Sequence, residues 1–326
     1  MLFRQLEYFV AVAQERHFAR AAEKCYVSQP ALSAAIAKLE RELDVPLINR
    51  GHSFEGLTPE GEQLVMWARR ILAEYAAFKS EVRATRSEVT GTLRLGAIPT
   101  ASTTMSLLLG GFCSAYPLVK VQVRAAMPTT ELYRRLRHFE LDAAIVPVGS
   151  QDSQGLDLVP LYADRYVLIS PTGMLPADSS RLRWPDAAQL PLMLLTPDIG
   201  VRNCIDGAFA SHGISVEPQV ETDSVCALLA QVATGDWATI LPYTWFTATA
   251  MVHNVRAVEL VEPTVTMQIA LATNPTGPTP PVARAFAASA EQLKLQRPDR
   301  RAAANNIVVI PQTSVTASES VDAATS

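Results

Sequence analysis

Residues 18–50 read FARAAEKCYVSQPALSAAIAKLERELDVPLINR, and this stretch constrains the fold more than any other because two helical periods meet at a tight corner within it. Phe18, Ala21, Ala22 and Cys25 recur at helical spacing, and Tyr26 and Val27 then break the period. Ser28 offers a hydroxyl to cap fresh backbone N–H groups, so a second helix is predicted to start near Gln29. Pro30 fits the first turn of that helix, where a missing N–H costs nothing. Leu32, Ile36, Leu39 and Leu43 then share one face, which is the core face.

The opposite face carries Pro30, Ala34, Ala37, Lys38 and Arg41, with Gln29 and Ser33 near the entry end. Most of these side chains are small. A slim helix end bearing an amide, hydroxyls and methyl-sized groups suits a DNA major groove, where Gln reads adenine, Ser reads several bases and apolar surface meets thymine methyls. Spacing alone is equally satisfied by an ordinary helical hairpin with a solvated outer face.

The wording is more specific than the spacing. AAEKCYVSQPALSAAIAKLERELDVPLINR followed by LTPEGE closely resembles the N-terminal winged helix-turn-helix of LysR-type transcriptional regulators. The resemblance extends from Met1 to about Arg297, tight in the first 65 residues and looser beyond. It implies a supporting helix over Phe18–Cys25, a recognition helix from Ser28 to about Glu42 and a wing over Asn49–Leu57. Ser28, Gln29, Pro30, Ser33, Ala34, Ala37 and Lys38 are then the DNA-facing positions, with Arg50 in the wing near phosphate. One departure stands out: the family usually has a long polar or basic side chain where this chain has Ala34.

Composition neither proves nor excludes such a role. The chain has 28 basic and 32 acidic residues, and Met1–Arg50 holds seven basic against six acidic, a net of only +1. Affinity must come from placed contacts and several reading heads, which favours an oligomer and specific binding over indiscriminate coating. At 326 residues the chain is long enough for two or three compact domains. No apolar run approaches a membrane span, and the N-terminus reads into an amphipathic helix instead of a signal peptide, so a cytoplasmic location is expected.

After the wing, Thr58-Pro59-Glu60 supplies a cap, a proline at the first helical position and an acid in the first turn. Leu64, Ala68, Ile71, Tyr75, Phe78, Val82, Thr85 and Val89 follow alternating spacings of four and three, the pattern of a coiled-coil seam. A single amphipathic helix packed on its own domain satisfies the same stripe. Its length, about 42 Å at 1.5 Å per residue, exceeds what a small head can cover and favours a partner helix. The family resemblance implies the same pairing of subunits, and Gly91 ends the segment.

From Thr92 strand-like and helical runs alternate, which specifies parallel sheets covered by helices. LRLGAI, VKVQVRA, LDAAIVPV, PLMLLT, TILP and MQIALAT read as strands. Asp157–Pro171 is extended and is expected to cross between two lobes, with a return near Thr264–Ala272. The resemblance implies an α/β effector-binding domain of two lobes, like periplasmic solute-binding proteins. The full reading is residues 1–58 as the winged helix-turn-helix, 59–90 as the linker and dimerisation helix, and 91–297 as the effector domain. Lobe I takes about 91–162 and 267–297, lobe II about 163–266, and the tail 298–326 is expected to be disordered, with Ile307–Ile310 as a possible edge strand.

Ligands in such folds lie at the carboxyl ends of strands, where helix N-termini present N–H groups. Hydroxyl-rich corners fall there, and although such residues are usually plain caps, several converging on one cleft make an anion-accepting site. By resemblance Thr100, Ser102 and Thr103 match the effector-contacting segment, with Thr129 and Thr196 likewise placed. Arg202 is read either as a bidentate carboxylate ligand or as a surface arginine. Asp236 and Trp237 replace the small residues usual before Ile240-Leu241-Pro242 and suggest a reshaped cleft wall suited to an amine or amino acid.

Enzymatic motifs are missing. His17, His52, His138, His212 and His253 lie far apart, and no HExxH, GxSxG, GxGxxG or GxxxxGK[ST] pattern occurs. Cys25, Cys113, Cys204 and Cys226 have no metal-ligand spacing, so neither metal nor cofactor is expected. Some members of the family sense peroxide through a cysteine pair, for which Cys204 and Cys226 are the candidates. The reading is a regulator of promoter DNA controlled by an organic acid or amino acid, dimeric through the linker or tetrameric, and able to recruit RNA polymerase. An architectural DNA protein without a ligand is the alternative, and an enzyme of dispersed residues a more distant one.

Overall fold

The computed structural model describes residues 2–50, 54–84, 89–149, 151–248, 254–277, 279–293 and 307–309. Thr85, His52, His253 and the rest of the tail fall outside the described residues, as does the side chain of Arg50.

The head opens with α1 (Phe3–Glu15), α2 (Phe18–Lys24) and α3 (Gln29–Leu43). His17 Nδ1 accepts from Arg20 N at 3.4 Å and Ser28 Oγ from Ala31 N at 3.4 Å, so α2 and α3 each carry a side-chain cap at the start. Leu32, Ile36 and Leu39 are fully buried against Leu6, Phe9, Ala21 and Ala22. The wing pairs β1 (Ile48–Arg50) with β2 (Phe54–Leu57) antiparallel. Glu40 Oε1 accepts from Leu47 N at 2.9 Å and Ile48 N at 3.3 Å, so the recognition helix itself fixes the root of the wing.

Helix α4 (Pro59–Ala84) begins where expected. Thr58 Oγ1 accepts from Gly61 N at 2.9 Å and donates to Pro46 O at 2.7 Å. Its apolar stripe differs from the predicted seam. Leu64, Ala68 and Ile71 pack on the head's own core, and Tyr75 stacks on Phe3 with ring centroids 4.3 Å apart. The apolar residues left exposed are Met66, Trp67, Phe78 and Val82. The head thus covers the first turns of the stripe, because α1 lies along them.

Lobe I contains β3 (Gly91–Ala97), α5 (Ser102–Ala115), β4 (Val119–Arg124), α6 (Thr129–Arg137) and β5 (Ala143–Pro147). Strand β6 (Asp157–Pro171) follows, then in lobe II β7 (Arg181–Arg183), α7 (Trp184–Ala187), β8 (Met193–Leu195), α8 (Gly200–Ala210), β9 (Val220–Thr222), α9 (Val225–Val232), β10 (Thr239–Pro242), α10 (Tyr243–Ala248) and β11 (Val255–Val261). Strand β12 (Thr264–Thr273) and α11 (Pro281–Leu293) return to lobe I, and β13 (Ile307–Val309) adds a short parallel strand to the start of β12.

The sheets are mixed, not purely parallel. β3 pairs parallel with β4 and β5, and β8 with β9, as alternation predicts. The crossing strands run against their neighbours: β12 is antiparallel to β5 and β6, and β10 and β11 are antiparallel to β6. Strand β6 spans both lobes, pairing with β12 through Asp157–Arg165 and with β10 and β11 through Tyr166–Pro171. β6 and β12 cross between the lobes in opposite directions and pair side by side, which is why the middle of the sheet is antiparallel.

The linker is tied to lobe I by ions. Arg69 Nη1 lies 2.9 Å from Glu140 Oε1, with side chains only 11% and 13% exposed. Glu140 also faces Arg134 and Arg135, and His138 Nδ1 lies 3.2 Å from Arg69 Nη1. Burial first, and then the neighbouring arginines, lower the pKa of His138. Among the described residues no helix is long and apolar enough to cross a membrane.

Candidate nucleic-acid interface and effector cleft

The corner between α2 and α3 leaves Ser28, Gln29, Pro30, Ala34 and Lys38 exposed, with Ser33 and Ala37 half-buried on the flank. This is the small-residue face read from the sequence, and its counterpart face is the fully buried leucine and isoleucine row. The Ser28 hydroxyl is engaged as a cap through its acceptor side, which leaves its proton to donate outward. A helix N-terminus presenting an amide, hydroxyls and methyl groups has the dimensions and chemistry for major-groove entry.

The second site is assembled where the two sheets meet. Trp245 of α10 donates from Nε1 to the carbonyl of Thr100 at 2.8 Å, joining the carboxyl end of β10 to the carboxyl end of β3. Leu192 and Ala238 bridge in parallel, so β8 and β10 end on the same side and Thr196, after β8, belongs to this edge. Thr129 starts α6 after β4, which is parallel to β3, and so also lies at a carboxyl end. Three hydroxyls here, Thr100 Oγ1, Thr103 Oγ1 and Thr196 Oγ1, are buried without a hydrogen-bond partner. Ser102 Oγ donates to Pro99 O at 2.8 Å and acts locally in the turn.

Two buried polar pairs that the sequence reading missed involve the same two helices, α5 and α10. Thr104 Oγ1 and the Tyr162 hydroxyl are 2.6 Å apart, and the buried Asp164 carboxylate accepts from Thr244 N at 3.3 Å and from the Thr244 hydroxyl. Burial pushes the Asp164 carboxyl up to about 6, against the pull of the bonds from Thr244. An aspartate within the LYADRYVLIS run of β6 is the one signal by which these pairs were detectable.

Three expectations for this site are corrected. Arg202 is buried and its donors are engaged by Asp206 at 2.8 Å, Glu221 at 2.6 Å and the Leu195 carbonyl at 2.9 Å, so it is not a free clamp for a ligand carboxylate. Burial lowers its pKa, but the hydrogen bonds to Glu221 and Asp206 outweigh that and the net shift is upward. Asp236 and Trp237 precede β10, at the amino end of the strand beside Pro191 and Leu192, and so lie at the opposite end of the sheet from Thr196. The spacing to Ile240-Leu241-Pro242 was legible, but which end of β10 faces the cleft depends on its parallel pairing with β8.

All four cysteines are free: Cys204 is buried on α8, Cys113 and Cys226 are exposed, and Cys25 is half-buried. Burial, then Glu7, raise the Cys25 thiol despite Lys24. No group of metal-ligating side chains occurs among the described residues.

Comparison with known proteins agrees with this geometry. Residues 3–62 match the bacterial regulatory helix-turn-helix protein, lysR family, and residues 86–294 match the LysR substrate binding domain. The chain belongs to the LysR family of transcriptional regulators, DNA-binding proteins with an effector-binding domain. It is 31% identical over 243 residues to the hydrogen peroxide-inducible genes activator of Dickeya chrysanthemi, covering 74% of this chain and 79% of that one. It is 35% identical to the SDS degradation transcriptional activation protein of a Pseudomonas species, covering 73% and 78%. A cysteine-to-aspartate variant of full-length OxyR from Pseudomonas aeruginosa superimposes with a TM-score of 0.73 at 26% identity, covering 89% of this chain and 94% of that one. Full-length CbnR complexed with its target DNA shares the fold, with a TM-score of 0.63 at 23% identity over 90% of this chain and 99% of that one. These relatives are regulators, not enzymes.

Proposed function

We propose that this chain controls transcription by placing α3 in the major groove of promoter DNA and by binding a small organic acid or amino acid between its lobes. Gln29, Pro30 and Ser33 meet base edges, Ser28, Lys38 and Arg50 stand toward the phosphates, and the small Ala34 and Ala37 on the same face let the helix approach closely. Thr100, Thr103, Thr129 and Thr196, with Ser102 in the same turn, contact the effector. The observation that carries the effector reading is the set of three buried threonine hydroxyls without partners, Thr100, Thr103 and Thr196, on the two facing sheet edges. Buried hydroxyls left unmatched cost free energy, and a ligand carboxylate or hydroxyl would recover it.

The exposed stripe of α4, Trp67, Phe78 and Val82 with Met66 beside it, supports pairing of two subunits, and further pairing to a tetramer. Two heads about 34 Å apart then face a partly palindromic site. Closure of the lobes changes the spacing of the heads, hence DNA bending and RNA polymerase recruitment, in the cytoplasm.

DNase footprinting upstream of the protein's own coding region, with and without pooled organic and amino acids, tests this reading. A long protected region that shortens or shifts with the pool is expected. Protection unchanged by any pool, together with no thermal shift in the effector domain, would sink the effector assignment and leave an architectural DNA protein.

A second reading follows the relatives, several of which are hydrogen peroxide-inducible genes activators. It requires a reactive thiol. Cys204 is buried within the apolar core and Cys226 is exposed, so the buried partner lacks the accessible setting a peroxide-reactive thiol needs. Mass spectrometry after mild peroxide treatment is expected to show no Cys204–Cys226 disulfide, and its formation together with a footprint shift would replace the organic effector by peroxide.

A further inference from the structure

The turn before the recognition helix is built against the grain of its sequence. Helix α2 closes with the N–H of Val27 on the carbonyl of Ala22 at 3.0 Å and the N–H of Tyr26 on the carbonyl of Glu23 at 3.1 Å. That pair of bonds is the Schellman arrangement, and the residue following the cap in it takes left-handed backbone, a place usually filled by Gly or Asn. Here it is Tyr26, at φ 56. A bulky aromatic in that region is strained relative to Gly. The two backbone hydrogen bonds hold the turn, but no side-chain packing offsets the strain, because the Tyr26 side chain is 96% exposed and is the most exposed of the large apolar residues described.

Arg16, Asp44 and Phe139 take the same backbone at the ends of other helices, and Tyr26 differs from them in holding a large aromatic ring almost wholly in solvent, which marks it for a contact at the surface. Tyr26 stands two residues before the Ser28 cap, at most about 7 Å of chain away. Ser28, Gln29 and Pro30, the end of α3 that enters the groove, are exposed beside it. When the first turn of a recognition helix reaches base edges, the turn leading into it lies against the groove wall, where phosphates and sugars are.

We propose that Tyr26 is a DNA-positioning residue whose phenol hydroxyl donates a hydrogen bond to a backbone phosphate flanking the α3 contact, with the ring lying on the adjoining sugar. The contact fixes the depth and angle of α3 and reads no base. It rests on the assignment of α3 as the reading helix, and it has a signature of its own. A neutral donor displaces no condensed counterion, so its loss weakens binding without changing the salt dependence.

The test uses the full chain with Tyr26→Phe, Tyr26→Gly and Gln29→Ala, titrated over a salt series against a random-sequence duplex and against the DNA upstream of its coding region. Tyr26→Phe is expected to lose about five- to tenfold in affinity on both duplexes, with an unchanged salt slope, from the one hydrogen bond. Tyr26→Gly is expected to lose at least as much while raising the melting temperature of the head, because strain is relieved and no core is removed. Wild-type affinity in both Tyr26 variants would overturn the proposal, as would a loss confined to one sequence, which would mean base reading. Gln29→Ala separates the two levels: relaxed sequence preference there with unaffected Tyr26 variants refutes only the tyrosine contact, whereas no effect from Gln29→Ala on either duplex means that α3 itself docks differently.

Discussion

At the residue scale, side chains on the exposed face of α3 divide by chemistry. Gln29 offers both a donor and an acceptor and is exposed at the helix entry, so Gln29→Ala is expected to remove about 1–3 kcal/mol of discrimination at one base step. Ala34 is exposed on the face proposed to enter the groove, and Ala34→Arg is expected to tighten binding through a phosphate or guanine contact and to steepen the salt slope. Anisotropy titrations over a salt series read both effects. Asp164 makes a prediction of a different kind. Its carboxyl sits at about 6 in the folded chain against an ordinary 3.8, so the folded state keeps a proton that the unfolded state releases between those values. Its contribution is therefore most favourable at the low end of that window and is lost as pH rises through it, by on the order of 1–3 kcal/mol. Melting curves of the wild type and Asp164→Asn are expected to move apart in the variant's favour as pH is raised from about 4 to 7. A constant gap would mean that Asp164 stays ionised in the fold.

At the scale of elements, the caps and strand directions decide where functional groups stand. Thr58 is 6% exposed and both accepts from Gly61 and donates to Pro46, so it seats α4 on the head. A Cβ on Gly61 would fall 2.1 Å from the Leu47 carbonyl oxygen, which makes that approach intolerant of any side chain. Thr58→Ala is expected to cost about 1–2 kcal/mol by denaturant unfolding, and an unaffected midpoint would show that the proline at the first helical position suffices. The proline, cap and acid at 58–60 were legible because they are local. The direction of β10 was not, because it is set by a parallel bridge to β8, and Asp236 and Trp237 were placed on the wrong end of it. Arg202 was likewise ambiguous in sequence, since only packing brings Glu221 of β9 against a helix nineteen residues earlier.

At the scale of the whole molecule, the linker must serve both the head and its own lobe I. Arg69 of α4 reaches Glu140 after α6, while Arg284 of α11 bonds Glu81 near the end of α4 at 2.8 Å. The remaining apolar stripe points outward, so if the proposed pairing through α4 holds, Phe78→Glu with Val82→Glu is expected to lower the sedimenting mass to that of a monomer and to shorten the DNase footprint to a single head. Retention of the oligomer would move the subunit contact to the effector domains.

Local pattern determined the helices of the head, the cap of α4, the alternation of strands and helices and the crossing strand at Asp157–Pro171, because each depends on neighbours a few residues apart. Tertiary structure alone decided which part of the α4 stripe belongs to the head, which ends of β3 and β10 face each other across Trp245 and Thr100, and that Asp164 is buried. Those outcomes rest on contacts 80 or 145 residues apart in the chain, where hydrophobic periodicity carries no information and the geometry of packed sheets carries all of it.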